Sequence, residues 1–189
     1  RMERRSRRGM PGFLEKRKRY FRRFISPLVG AHVMEREPTM KPYDDLTLYF
    51  GDLHNHCDIS YGHGSLQDAL ANARVQLDFC AVTGHAHWHD MPKESTEAAD
   101  IIEFHRNGFA KLRDNWTMFQ EEMSKHDEPG RFVPFLSYED HSNRYGDYTI
   151  VHRRLDGELF CTDVLPKLIS ELRNNSLLGS EVIGFPHHI

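Results

Sequence analysis

Cysteine is scarce: Cys57, Cys80 and Cys161 are the only three in 189 residues. An odd number at such wide spacing builds no disulfide framework, which points to a reducing, cytoplasmic setting. No apolar run approaches the roughly 20 residues that span a bilayer, so no transmembrane segment is expected. A Walker loop, a G-x-G-x-x-G after a strand, a G-x-S-x-G elbow, a paired C-x-x-C and zinc-finger spacing are all missing. Nucleotide-loop, serine-hydrolase and dithiol chemistry therefore have no footing in the sequence. Repeats and low-complexity tracts are absent too. With 39% hydrophobic and 28% charged residues, the chain has globular composition and enough length for one domain with a real core.

Histidine is abundant by contrast: thirteen in all, six of them between His54 and His89. Charge is also uneven. Residues 1–23 hold eleven Lys/Arg against Glu3 and Glu15, a net of +9, which leaves about −12 on residues 24–189. Residues 1–44, punctuated by Pro27, Gly30, Pro38 and Pro42, read as a basic arm and linker, and residues 45–189 as the folded domain. The arm is a solvated or partner-bound tail, or a weak contact for a polyanion such as nucleic acid or an anionic membrane.

Hydrophobic pattern and breakers give the expected elements. Strands are expected at 46–54, 77–85, 132–140 and 181–189, with an added strand at 147–155. A helix begins after Ser65, capped with Asp68 three residues on, and buries Leu66, Ala69, Leu70 and Ala73. A long amphipathic helix runs from about 94 to 124 with Gly108 as its weak point, and another covers 164–174 with Thr162 or Asp163 as cap. Strands alternating with helices argue an α/β fold with a parallel sheet.

Each main strand ends in a side chain that can ligate a metal: His54 and His56, then His85, then Glu139, then His187 and His188. In α/β barrels function sits at the carboxyl ends of the strands. His54 and His56, two apart on an extended segment, project to one face. Asp52 shares that face and is expected to orient His54 from behind. A carboxylate ending an apolar strand, as Glu139 does, is costly unless paired or metal-bound. His187 and His188 are neighbours and should face opposite ways, so at most one is expected to bind. His87 and His89 are placed on a loop, solvated or touching substrate.

The order "GDLHNH…S-x-G", "LDFCAVTGH", "FLSYED", "GFPHHI" over roughly residues 46–189 resembles the polymerase and histidinol phosphatase (PHP) superfamily, and within it a branch with a GDLHxH opening. The resemblance implies a distorted, TIM-like (β/α)7 barrel, with about its first four strands present here, and two or three divalent cations (Zn, Mn or Fe). It assigns His54 and His56 to the first metal, Glu139 to a bridge between first and second, His187 to the second and His85 to a third. Glu139 and His85 are the catalytic residues on this assignment. Two departures remove acidic residues near the third metal: Ser60-Tyr61-Gly62 stands where the family has S-D-G, and Thr83-Gly84-His85 where it has T-D-H. His63 is a candidate substitute, and Asp147, His152 and His188 are further candidate ligands. A barrel needs about seven or eight strands, so the 189 residues are expected to belong to a longer polypeptide or to be completed by a second chain.

The leading functional expectation is a metal-dependent hydrolase acting on a small phosphorylated molecule through metal-activated water. The alternatives are an amide or ester metallohydrolase, and a non-catalytic binding domain directed to polyanions by its arm.

Overall fold

The computed structural model describes residues 46–93, 98–177, 179 and 181–188. The basic arm, and with it any polyanion contact, lies outside them. Among the described residues the fold is mixed α/β, with four helices and two sheets, and no closed barrel forms. In chain order the elements are β1 (Gly51–Asn55), α1 (Leu66–Gln76), β2 (Phe79–Val82), β3 (His85–Trp88), α2 (Ala99–Asp114), α3 (Trp116–His126), β4 (Val133–Phe135), β5 (Ser137–His141), β6 (Asp147–His152), α4 (Leu165–Leu177) and β7 (Val182–His188). None of the described helices is long and apolar enough to cross a membrane.

Two strands expected as single elements are each divided between the sheets. Residues 77–85 break at Thr83-Gly84 into β2 and β3, and residues 132–140 break at Leu136 into β4 and β5. The first sheet runs β1-β2-β4, all parallel. The second runs β3-β5-β6-β7, with β3 and β5 parallel and β6 antiparallel to both neighbours. The sheet is therefore not purely parallel. The reversal at β6 sets β7 parallel to β5, so the carboxyl ends of β3, β5 and β7 lie on the same side as the start of β6.

Strand alternation divides the interior in two. Cys80, Val82, Tyr138, Ile150 and Val182 face the helices and join Leu66, Leu70, Leu112, Phe119, Met123 and Leu168 in the larger core. The opposite face carries a smaller cluster from strands alone, Phe79, Ala81, Val133, Phe135 and Val151, with Leu53, Ile183 and Phe185 against it. Followed toward the strand ends, that inner face turns polar: Val151 gives way to Thr149 and Asp147, and Phe185 to His187. The apolar cluster is a floor, and the ionisable residues stand on it.

The helices start as their sequence directs. Ser65 Oγ accepts from the Asp68 amide at 3.1 Å and donates to its carboxylate at 2.7 Å, which caps α1. At α4 the Val164 carbonyl takes the first helical amides, and the Thr162 hydroxyl bonds that same carbonyl instead of capping. The long helix breaks at Asn115 instead of Gly108. A Cβ at Gly108 would lie 2.2 Å from the Tyr61 ring, so glycine there lets an aromatic ring rest on the helix backbone.

Gly108→Ala is expected to destabilise the fold by about 1–3 kcal/mol of overpacking, against a helix-propensity gain of about 1 kcal/mol. In a Tyr61→Ala background the same change should become neutral or favourable. Denaturant midpoints of the four chains measure it, and a stabilising Gly108→Ala in the native background contradicts the packing account.

Candidate metal centre

Glu139 is the hub. Its side chain is 1% exposed, near the end of β5, with five imidazoles around its two oxygens. His187 Nε2 lies 3.0 Å from Oε1 and His141 Nε2 3.4 Å from it. His85 Nδ1, His56 Nε2 and His54 Nε2 lie 3.3, 3.4 and 3.9 Å from Oε2. Oε2 makes no hydrogen bond despite its burial. Three donor sets pass through this one carboxylate: His54–His56–Glu139, His85–Glu139–His141 and Glu139–Asp147–His187–His188, each with donor atoms within 4.8 Å of one another.

The donor atoms also crowd one another. His54 Nε2 and His56 Nε2 are 3.0 Å apart, and His85 Nδ1 and His141 Nε2 are in close contact. Nitrogen lone pairs converging on a carboxylate repel unless protons or a cation lie between them. Burial disfavours the protons: it pushes His85 down to about 2 and, with neighbouring imidazoles adding to it, His187 down to about 4. His141 also falls to about 4, mainly through burial, although Asp147 pulls it up. His54 and His56 are lowered too, by burial first and by neighbouring histidines after it. Neutral imidazoles are the form that binds metals. Burial, with Asp147 as like charge, pushes Glu139 up to about 8. The buried His/Glu/Asp cluster can hold a divalent cation, whose charge would relieve the cost of ionising Glu139.

Hydrogen bonds behind the rings fix which nitrogen faces inward. The Thr83 hydroxyl donates to the Asn55 carbonyl at 3.2 Å, so its oxygen is left to accept from His54 Nδ1 at 3.1 Å. His54 then presents a bare Nε2 to the cluster. Thr149 Oγ1 sits 3.1 Å from His54 Nδ1 and 3.2 Å from His187 Nδ1, joining β1 to β7 through one buried hydroxyl. Asp147 Oδ1 takes the Nδ1 proton of His141 at 2.9 Å, turning His141 Nε2 toward Glu139. Asp52 does not orient the His54 ring as expected: its carboxylate accepts from the His54 backbone amide at 2.9 Å.

Of the expected residues, His54, His56, His85, Glu139, His187, Asp147 and His188 converge. His188 joins because β7 slips register against β6 between Asp147 and Tyr148, which sets Asp147 opposite His188, 3.1 Å from its Nδ1. His63 and His152 stay out. The turn closed by Gly62 N–H to the Cys57 carbonyl sends Tyr61 inward and leaves His63 exposed. Tyr61 stacks on His85 at 4.1 Å, and His56 stacks on the other face of the same ring at 4.5 Å. His152 has the parity of Ile150, so it is buried on the helix side against Tyr138, Trp116 and Phe160. Gly84 offers no room for a carboxylate, since a Cβ there would lie 2.7 Å from Ile59. His141 supplies that corner instead. His141 lies past the apolar run that marks the other donors, and only its two-residue step from Glu139 along an extended strand points to it in the sequence. Thr83 and Thr149 carried no sequence signal.

The chain matches no family model and no curated protein.

Zinc binding to the apoprotein at pH 7 should release about one proton, that of Glu139, with the release fading above pH 8. Calorimetry in buffers of differing ionisation enthalpy reads it, and Glu139→Gln should abolish the release and weaken binding. Unchanged affinity and proton count would remove Glu139 from the centre. In the apoprotein the depressed histidines are neutral where their unfolded counterparts begin to protonate. Their contribution is full above about 6.5 and is lost as pH falls toward 4, so thermal stability should drop over that window.

Proposed function

We propose that the chain is a metal-dependent hydrolase of phosphoesters, built on the barrel-type frame that its motif order resembles. The observation that carries the proposal is Glu139, a single buried carboxylate common to three donor sets. A carboxylate can serve two cations at once, which an imidazole does not do easily, so this arrangement favours a multinuclear centre of two or three ions. Mixed imidazole and carboxylate donors suit Zn, Mn or Fe.

When bound, such cations supply Lewis acidity and a water acidified to near-neutral pH. The protein's own groups do the rest. Glu139 balances the charge of the cations. Thr83, Thr149 and Asp147 hold His54, His187 and His141 in their tautomers. Tyr61 and Phe109, whose rings pack on His85, wall the centre from one side.

A cleft of about 600 Å³ opens beside the cluster, with His141, Asp147 and His188 in its wall. Arg144 is the one permanent cation among its lining residues. Its guanidinium rests 5.2 Å from the Tyr145 ring centroid, and from the cleft wall it offers a forked partner to an anionic group. This favours a phosphorylated substrate over a neutral ester or amide.

The test is turnover of model phosphomonoesters and phosphodiesters by the chain loaded with Zn, Mn or Fe. Glu139→Gln should lower turnover by more than about a hundredfold, beyond the usual loss for residues behind the ligands. Arg144→Ala should raise KM for a phosphorylated substrate by about tenfold, as loss of a charge-assisted hydrogen bond predicts, with kcat little changed. Turnover of esters or amides alone transfers the reading to that chemistry. A metal-replete chain that turns over none of them is a binding domain.

A further inference from the structure

A second set of donors lies on the opposite face of β5. Pairing of β3 with β5 shifts between His85 and His87: His85 stands opposite Glu139, His87 opposite Asp140 and Trp88 opposite His141. The extra residue, Ala86, reverses the parity of everything after it. Without that bulge His87 would share the face of His85. With it, His87 and His89 share the face of Asp140, turned away from Glu139 and His141.

There the three converge, with donor atoms within 4.8 Å of one another. The side chains of His89 and Asp140 are 2% and 1% exposed. His89 Nδ1 lies 3.2 Å from Asp140 Oδ2, yet neither nitrogen of His89 and neither oxygen of Asp140 makes a hydrogen bond. Four unsatisfied buried polar atoms in two touching side chains are costly. A His–Asp ion pair would need a hydrogen bond along that contact, and it would still leave the second ring nitrogen and the second oxygen bare. His87 adds the support expected behind a metal-bound histidine. Its Nε2 lies 2.7 Å from the Thr162 carbonyl. A carbonyl only accepts, so Nε2 carries the proton and the neutral ring keeps its lone pair at Nδ1.

We infer that His87, His89 and Asp140 form a second divalent-cation site, separate from the Glu139 centre and suited to zinc. Two imidazoles and one carboxylate are borderline donors, which select zinc-like ions over calcium or magnesium. The site is buried and ties the end of β3, and through His87 the Thr162 segment, to β5. β5 then serves two centres back to back: Glu139 and His141 point to one, Asp140 to the other. The inference does not depend on the hydrolase proposal.

Equilibrium dialysis of the full chain against zinc, followed by elemental analysis, tests it. Glu139→Gln/His187→Ala disables the first centre and should still retain one tightly held equivalent. Adding Asp140→Asn or His89→Gln should remove that equivalent, while circular dichroism shows the fold intact. Zinc should also raise the melting temperature of the Glu139→Gln/His187→Ala chain, a readout that needs no variant of the second site. Absence of zinc from that chain, or retention unchanged by both Asp140→Asn and His89→Gln, overturns the inference. So does a wild-type chain in which folded Asp140→Asn loses every ion, since the cluster would then only support the first centre. Failure of the first centre alone shows separately, as Glu139→Gln binding as much zinc as wild type.

Discussion

The arrangement depends on placing one carboxylate where water cannot reach it. A carboxylate stripped of water is costly, and only close positive charge or a proton compensates. Glu139 is 1% exposed and has imidazoles, not lysines or arginines, as its neighbours. Burial keeps those rings neutral, so they offer lone pairs and no charge. The site is consistent with itself only with a cation among its donors or with Glu139 protonated. The frame around it serves the same end: rings are held by hydroxyls and a carboxylate from behind, and Tyr61 and Phe109 close one side.

How the frame brings these groups together follows from the two-residue period of strands. One face of β2, β4, β6 and β7 is apolar at its base and gives way to ligands at the ends of β5 and β7 and the start of β6. The reversed strand β6 puts Asp147 at the same level as His187, whereas an all-parallel strand would put its opposite end there. Where the alternation is broken, a side chain changes face. The β3 bulge takes His87 and His89 away from Glu139, and the β7 slip brings His188 toward Asp147. The β7 slip lies at its strand's end, whereas the β3 bulge falls inside the strand, at Ala86, opposite the middle of β5.

The surroundings of His85 have a packing logic of their own. Tyr61 stacks on His85 and rests on a helix that Gly108 leaves bare. Gly84 is packed against Ile59 and Leu112. That corner draws its nitrogen donors from His85 and His141.

The sequence by itself determined that strands end in side chains able to bind a metal and that the composition is globular. It also showed which residues head the donor sets: His54, His56, His85, Glu139 and His187 each follow an apolar run, and local alternation is enough to put His54 and His56 on one face. The Ser65 cap was legible for the same reason, being an interaction across three residues. Tertiary structure alone decided the rest. Breaks at Thr83-Gly84 and Leu136 depend on which sheet each half joins. Removal of His152 from the site depends on the parity of β6, and Thr149 serves two rings only because β1 and β7 meet. Which face His87 and His89 take is set by a register shift against β5, a pairing between segments some fifty residues apart that no local pattern encodes.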